Sequence, residues 1–246
     1  GGQARTAAKS ARKTGNRESA NGARIRETPS LVRRHHRRMS TAPTASSNDT
    51  PLRSSETIGI AMASLAILVA QIALTRLLSV VLWYHFAFVA ISLAMLGLAL
   101  AGVGLYLAPS LLRATPRLLP WYCRGAALTL LGSLAYVLLW PPAIGQDNHG
   151  ILASDIVLLY LVLLVPFTLA GLAVSAVLAS RAAHIGRLYA SDLAGAGIGC
   201  LSAVPVLDLL GAPGSIVAAA IAMLVAGLMF APTQRSRIVD AALLVV

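Results

Sequence analysis

From Thr57 onward the chain is a succession of apolar runs, each about as long as a helix needs to cross a bilayer, separated by short polar breaks. A hydrocarbon core of about 30 Å is crossed by about 20 helical residues. Lipid offers the backbone no hydrogen bonds, so each run must satisfy its own N–H and C=O groups, which a helix does within one segment. The predicted spans are residues 57–76, 85–107, 122–140, 154–179, 189–209 and 214–231, and Ala241-Ala-Leu-Leu-Val-Val246 reads as the start of a seventh. The expected fold is therefore all-α, a polytopic membrane helix bundle of six spans plus the start of a seventh, behind a disordered basic N-terminal tail.

The breaks are chemically sensible. Pro109, Pro116 and Pro120 punctuate one, Pro141-Pro142 with Gly145 the next, Arg181 to Arg187 form a third, and Gly211-Ala-Pro213-Gly214 predicts a tight turn. No Gly or Pro occurs between Ile60 and Gly97. A turn near Leu82–His85 is expected there only because one helix of that length would overshoot the bilayer. Pro166 and Pro205 fall inside spans and predict kinks. With 57% hydrophobic residues, a mean hydropathy of +0.75 and only 12% charged residues, against about a quarter charged in soluble domains, a soluble α/β enzyme and a wholly disordered chain are excluded. Cys123 and Cys200 lie in or beside apolar runs, so neither a disulfide framework nor a zinc site is expected. The sequence also shows no HExxH, P-loop, CxxC or Ser/His/Asp set, and no cofactor site is expected in this chain.

Charge is concentrated at one end. Residues 1–56 hold 12 of the 20 Lys/Arg and 4 of the 9 acids, with almost no bulky apolar residues. Such a segment buries too little surface to offset its ordering entropy. Its run Arg33-Arg34-His35-His36-Arg37-Arg38 reads as a solvated topogenic tail rather than a specific nucleic-acid site. Residues 1–38 read as translated upstream sequence or part of a fragment, since Met39 opens an ordinary short polar N-terminus. Residues 57–246 form the expected transmembrane domain. With the tail inside, Arg113, Arg117, Arg124, Arg181, Arg187, Arg235 and Arg237 also fall on or near the inner side, against Arg76 alone outside, where Asp147, His149 and Asp208 lie. That asymmetry predicts a cytoplasmic N-terminus. The expected location is the plasma (inner) membrane of a bacterium.

Three ionisable residues in or beside the spans are candidate functional groups: Asp155, Asp192 and Arg76. Asp155 and Asp192 each follow a serine near a predicted helix start, where a carboxylate favours the exposed N–H groups, so capping is the default and a proton or cation relay the alternative. Arg76 is expected to snorkel to the outer interface, with a buried ion pair to Asp155 or Asp208 as the sharper possibility. His85, among Trp83, Tyr84 and Phe86, reads as an aromatic-belt position. Gly195-Ala-Gly197-Ile-Gly199 superficially suggests a dinucleotide loop, but its spacing is wrong and it lies in a predicted span. Gly195 and Gly199 instead form a small-xxx-small helix-packing pair, and Gly97, Ala101 and Gly104 offer the same in the second span.

The string Tyr189-Ala-Ser-Asp192-Leu-Ala-Gly195-Ala-Gly197-Ile-Gly199-Cys200-Leu, followed by Pro205 and Leu210-Gly211-Ala-Pro213-Gly214, resembles the membrane region of multi-pass spermidine synthase-like proteins. The segment from Thr75-Arg76 through Trp83-Tyr-His85 into Gly97 is similar to that family's first hairpin. The resemblance implies membrane helices that precede a cytosolic Rossmann-like aminopropyltransferase domain. That domain would bind decarboxylated S-adenosylmethionine and a diamine and use an aspartate as general base. None of its motifs has a counterpart in these 246 residues, so no catalytic residue carries over, and the chain alone is not expected to be the enzyme. The expected partners are the bilayer, a C-terminal soluble domain and other copies through helix–helix contact. The rival expectations are a small transporter or half-transporter and a non-catalytic membrane scaffold.

Overall fold

In a computed structural model, the described residues are 53–82, 85–108, 110, 115–139 and 153–231. They form α1 (Ser54–Val81), α2 (His85–Leu107), α3 (Thr115–Leu139), α4 (Ala153–Ser180), a 3-10 turn (Ala182–His184) and α5 (Ile185–Phe230). No strand occurs among the described residues. Five helices are long and apolar enough to cross a membrane, the mark of an integral membrane protein. The basic tail before Arg53, the breaks around Pro141 and the expected seventh run lie outside the described residues.

Helix boundaries follow local chemistry. α1 begins at Ser54, three residues before the predicted span, and Glu56 in its first turn complements the positive end of the helix dipole. It ends at Leu82, whose backbone leaves the helical region (φ −101, ψ −82) while its N–H still reaches the carbonyl of Leu78 at 3.0 Å. The break between the first two spans is therefore a turn without Gly or Pro, as length alone required. Pro166 lies inside α4 and Pro205 inside α5. Within α5 the non-helical residue is Gly211, at φ 67 and ψ 176, not Pro205.

Gly211 reverses the chain. A straight helix would hold Gly195 and Phe230 about 52 Å apart. Yet a β-carbon at Gly195 would lie 2.6 Å from the Cα of Ala61, and one at Gly59, two residues away on α1, would lie 2.8 Å from the Phe230 ring. The segments 185–210 and 212–230 are therefore two arms of a hairpin closed on α1. Ser215, fully buried, donates its hydroxyl to the Gly211 carbonyl at 2.7 Å and secures the reversal. The predicted four-residue turn is thus a one-residue break followed by Pro213, whose missing N–H falls in the first turn of the second arm, where no helical partner is needed.

That φ/ψ pair is one that essentially only glycine adopts. Gly211→Ala should cost about 1–2 kcal/mol in thermal or denaturant unfolding in detergent. Gly102→Ala, whose new methyl would meet nothing within 4 Å, should cost nothing. Equal effects from the two would remove the strain argument.

Neighbouring contacts give the helix directions. Gly195 meets Ala61 and Gly199 meets Leu65, so the first arm runs parallel to α1, and the second arm returns antiparallel. Gly97 abuts Phe167 and Thr168 while Gly171 abuts Leu98 and Ala101, so α2 and α4 run parallel. Gly125 meets Leu169, and further along α3, Thr129 and Tyr136 face Leu161 and Val165 across a groove; α3 and α4 are antiparallel. The core is a single apolar cluster along these contacts, including Ile60, Leu74, Leu78, Leu159, Leu163 and Ile216. Gly97 and Ala101 act as the expected close-packing pair, but Gly104 has open space around it.

Candidate functional site

Down α1, Gly59, Ala63, Ala66, Ala70 and Ala73 recur at alternating steps of four and three, all buried. Spacing of this kind keeps small side chains on one face of the helix and lets another backbone come close. The second arm supplies the matching surface with Ala219, Ala220, Met223, Ala226 and Gly227. A neighbouring face of α1 meets the first arm through Ala61 and Leu65, opposite Gly195 and Gly199. At Gly195 the approach is so close that a β-carbon would overlap the Ala61 carbonyl oxygen. Gly195 and Gly199 are thus places where the first arm comes close to the α1 backbone.

One turn before Gly195 lies Asp192. Its carboxylate Oδ1 accepts a short hydrogen bond from the Ser64 hydroxyl of α1. Ser64 is 3% exposed and its Oγ also lies 3.0 Å from the carbonyl of Ile60, so one hydroxyl hydrogen faces two acceptors. α5 starts at Ile185, which puts Asp192 two turns inside the helix and out of reach of its N-terminal N–H groups. Capping is therefore not its role; it makes a polar contact between helices in an otherwise apolar seam. Ser64 was not singled out from the sequence. The signal that could have found it is its place as the one hydroxyl within the Gly59–Ala73 stretch, where Gln71 is the other polar residue.

The other candidates do not join this pair. Asp155 lies in the first turn of α4, as expected for a dipole-favoured carboxylate, and is exposed. Arg76 is exposed near the C-terminal end of α1, and Asp208 is exposed as well, so no buried ion pair forms between Arg76 and either acid. The fold brings together a different pair. Glu56 Oε1 of α1 accepts a 2.7 Å ion-paired hydrogen bond from Arg181, which follows α4, while Glu56 Oε2 is buried without a hydrogen-bond partner. The pair ties the start of α1 to the end of α4. Arg124, buried in α3, stacks its guanidinium over the exposed Trp121 ring, 5.1 Å from the centroid, a cation–π arrangement suited to a membrane interface.

Chemically this site can do little alone. Among the described residues no group of three or more His, Cys, Asp or Glu side chains could hold a metal ion. One carboxylate with one hydroxyl can position helices or take a cation. It lacks the paired acids or nucleophile–base set that group-transfer chemistry uses. No family model, curated protein or solved structure matches the chain.

Proposed function

We propose that this chain is the membrane-embedded region of a spermidine synthase-like protein, with six crossings and a cytoplasmic N-terminus in a bacterial inner membrane, holding an aminopropyltransferase-like domain at the cytoplasmic face. The observation that carries the reading is that the string Tyr189–Leu201, on which the resemblance rests, is the same stretch that seats the hairpin on α1 through Asp192, Gly195 and Gly199. Two arms of 26 and 19 residues, 185–210 and 212–230, are each long enough to cross a bilayer. The Glu56–Arg181 pair puts the start of α1 beside the end of α4, so Arg181 and Arg187 lie at the N-terminal end of α1, in keeping with the positive-inside bias.

Two measurements test it. Fusions of a periplasm-active phosphatase should be active after residues 145 and 211 and inactive after 110, 183 and 234. An inactive fusion at 211 overturns the six-crossing count. Sequencing the source transcript past the codon for Val246 should reveal a soluble stretch with a strand, a glycine loop and acidic residues at strand ends. A stop codon shortly after that codon overturns the anchor role.

The Ser64–Asp192 contact favours a second reading, a polyamine transporter in which Asp192 meets the cation. It predicts uptake of radiolabelled putrescine or spermidine by proteoliposomes containing only this chain, abolished by Asp192→Asn. Uptake unchanged by that substitution rejects it.

A further inference from the structure

Between α3 and α4 lies a groove of about 440 Å³ on the side of the bundle. That volume lies within the roughly 300–1,000 Å³ range of small-molecule sites. α3 lines it with Thr129, Gly132, Ser133 and Tyr136, and α4 with residues that include Val162 and Val165. The hydroxyls do not make it polar. Thr129 donates to the carbonyl of Gly125 at 2.6 Å and Ser133 to that of Leu130 at 2.7 Å, so both are satisfied within their own helix. What faces the groove is hydrocarbon, and the matching occupant is hydrocarbon.

One end of the groove is charged. Asp155 lies seven residues before Val162, on the same face of α4, and its carboxylate is within electrostatic reach of the Tyr136 phenol. Asp155 is exposed, so it is open to a cation at the membrane surface.

We propose that the groove between α3 and α4 is a lipid site that takes one hydrocarbon chain of an amine-headed phospholipid, with the ammonium at Asp155. The site rests on the reading that α3 and α4 cross a bilayer. Chain burial alone gives no preference over bulk lipid, because lipid tails are as apolar as the groove wall. Selectivity therefore comes from the headgroup, and one favourable charge at a membrane surface corresponds to about fivefold in occupancy.

The test uses the full chain in phosphatidylglycerol vesicles doped with phosphatidylethanolamine bearing a photoreactive diazirine on one chain. Labelled positions are read by peptide mass spectrometry. Label is expected on residues 129–136 and 161–165 at about five times the level on the exposed α2 face around Met95. Gly132→Phe should abolish the groove label. Gly132 has no neighbour within 4 Å of a new β-carbon, so this change fills the groove without displacing backbone. Asp155→Asn should keep the chain in place but remove the advantage of the ethanolamine probe over a glycerol-headed one. Equal label on groove and α2, or wild-type label in Gly132→Phe, overturns the proposal. So does an unlabelled groove beside a labelled α2, which means protein fills it. No label on any helix overturns the bilayer reading itself.

Discussion

Gly195→Leu is expected to destabilise the bundle by about 3 kcal/mol, while Gly197→Leu changes it by less than about 0.5 kcal/mol. The two glycines are two residues apart on one helix and lie on different faces. At Gly195 even a methyl group would meet the Ala61 backbone, with its Cα 2.6 Å and its carbonyl carbon 2.7 Å away. Backbone does not swing aside as a side-chain tip does, so the first arm must lift from α1 and take the Gly199 contact with it. At Gly197 nothing lies within 4 Å and the residue is exposed. Mixed-micelle denaturant titration, read by helix content and by protease access to the first arm, separates the two outcomes. Comparable losses from both would mean that the close approach at Gly195 does not hold the arm.

Ser64→Ala should cost about 2–3 kcal/mol, more than the roughly 0.6 kcal/mol typical of neutral hydrogen bonds between membrane helices. The difference is the carboxylate. Removing the hydroxyl takes from the half-buried Asp192 oxygen its hydrogen-bond donor on α1, and a group left unpaired costs more than the bond was worth. Asp192→Ala should therefore relieve much of the loss when added to Ser64→Ala. A double-mutant cycle should show a coupling of about 1–2 kcal/mol. Additive effects would mean that the pair is close in space but not energetically joined.

The architecture was legible because hydrocarbon leaves a chain few options. Long apolar runs gave the helices, and chain length alone required the break at Leu82, which no turn residue marks. Gly195 and Gly199 were readable as packing residues because their four-residue spacing needs no knowledge of the partner. The partner itself was not readable. Which helix lies against Gly195 depends on contacts more than 120 residues apart, and Ser64 becomes meaningful only once Asp192 lies against it. Local rules also misled. A Ser-Asp pair near a helix start reads as a cap, but the helix begins a turn earlier than the apolar run, because Ile185 and Leu188 already belong to it and Leu188 is fully buried. The reversal, by contrast, falls at Gly211, inside the turn that Gly211-Ala-Pro213-Gly214 predicts, where the backbone can take the required φ. The α3–α4 groove left no mark at all, since it is set by how two helices pack rather than by any residue type.

The hairpin on α1 also has a consequence for how the protein is made. α1 leaves the ribosome well before its main partners, residues 185–230. At about 5–20 residues per second, the 128 residues between Ser64 and Asp192 take roughly 6–26 s to synthesise. Throughout that interval α1 must sit in the membrane with its narrow small-residue seam and its lone hydroxyl facing lipid. α1 is thus covered by a segment made long after it. A nascent chain halted before Gly211 has every earlier helix and still lacks the returning arm that covers Gly59 and the alanines below it.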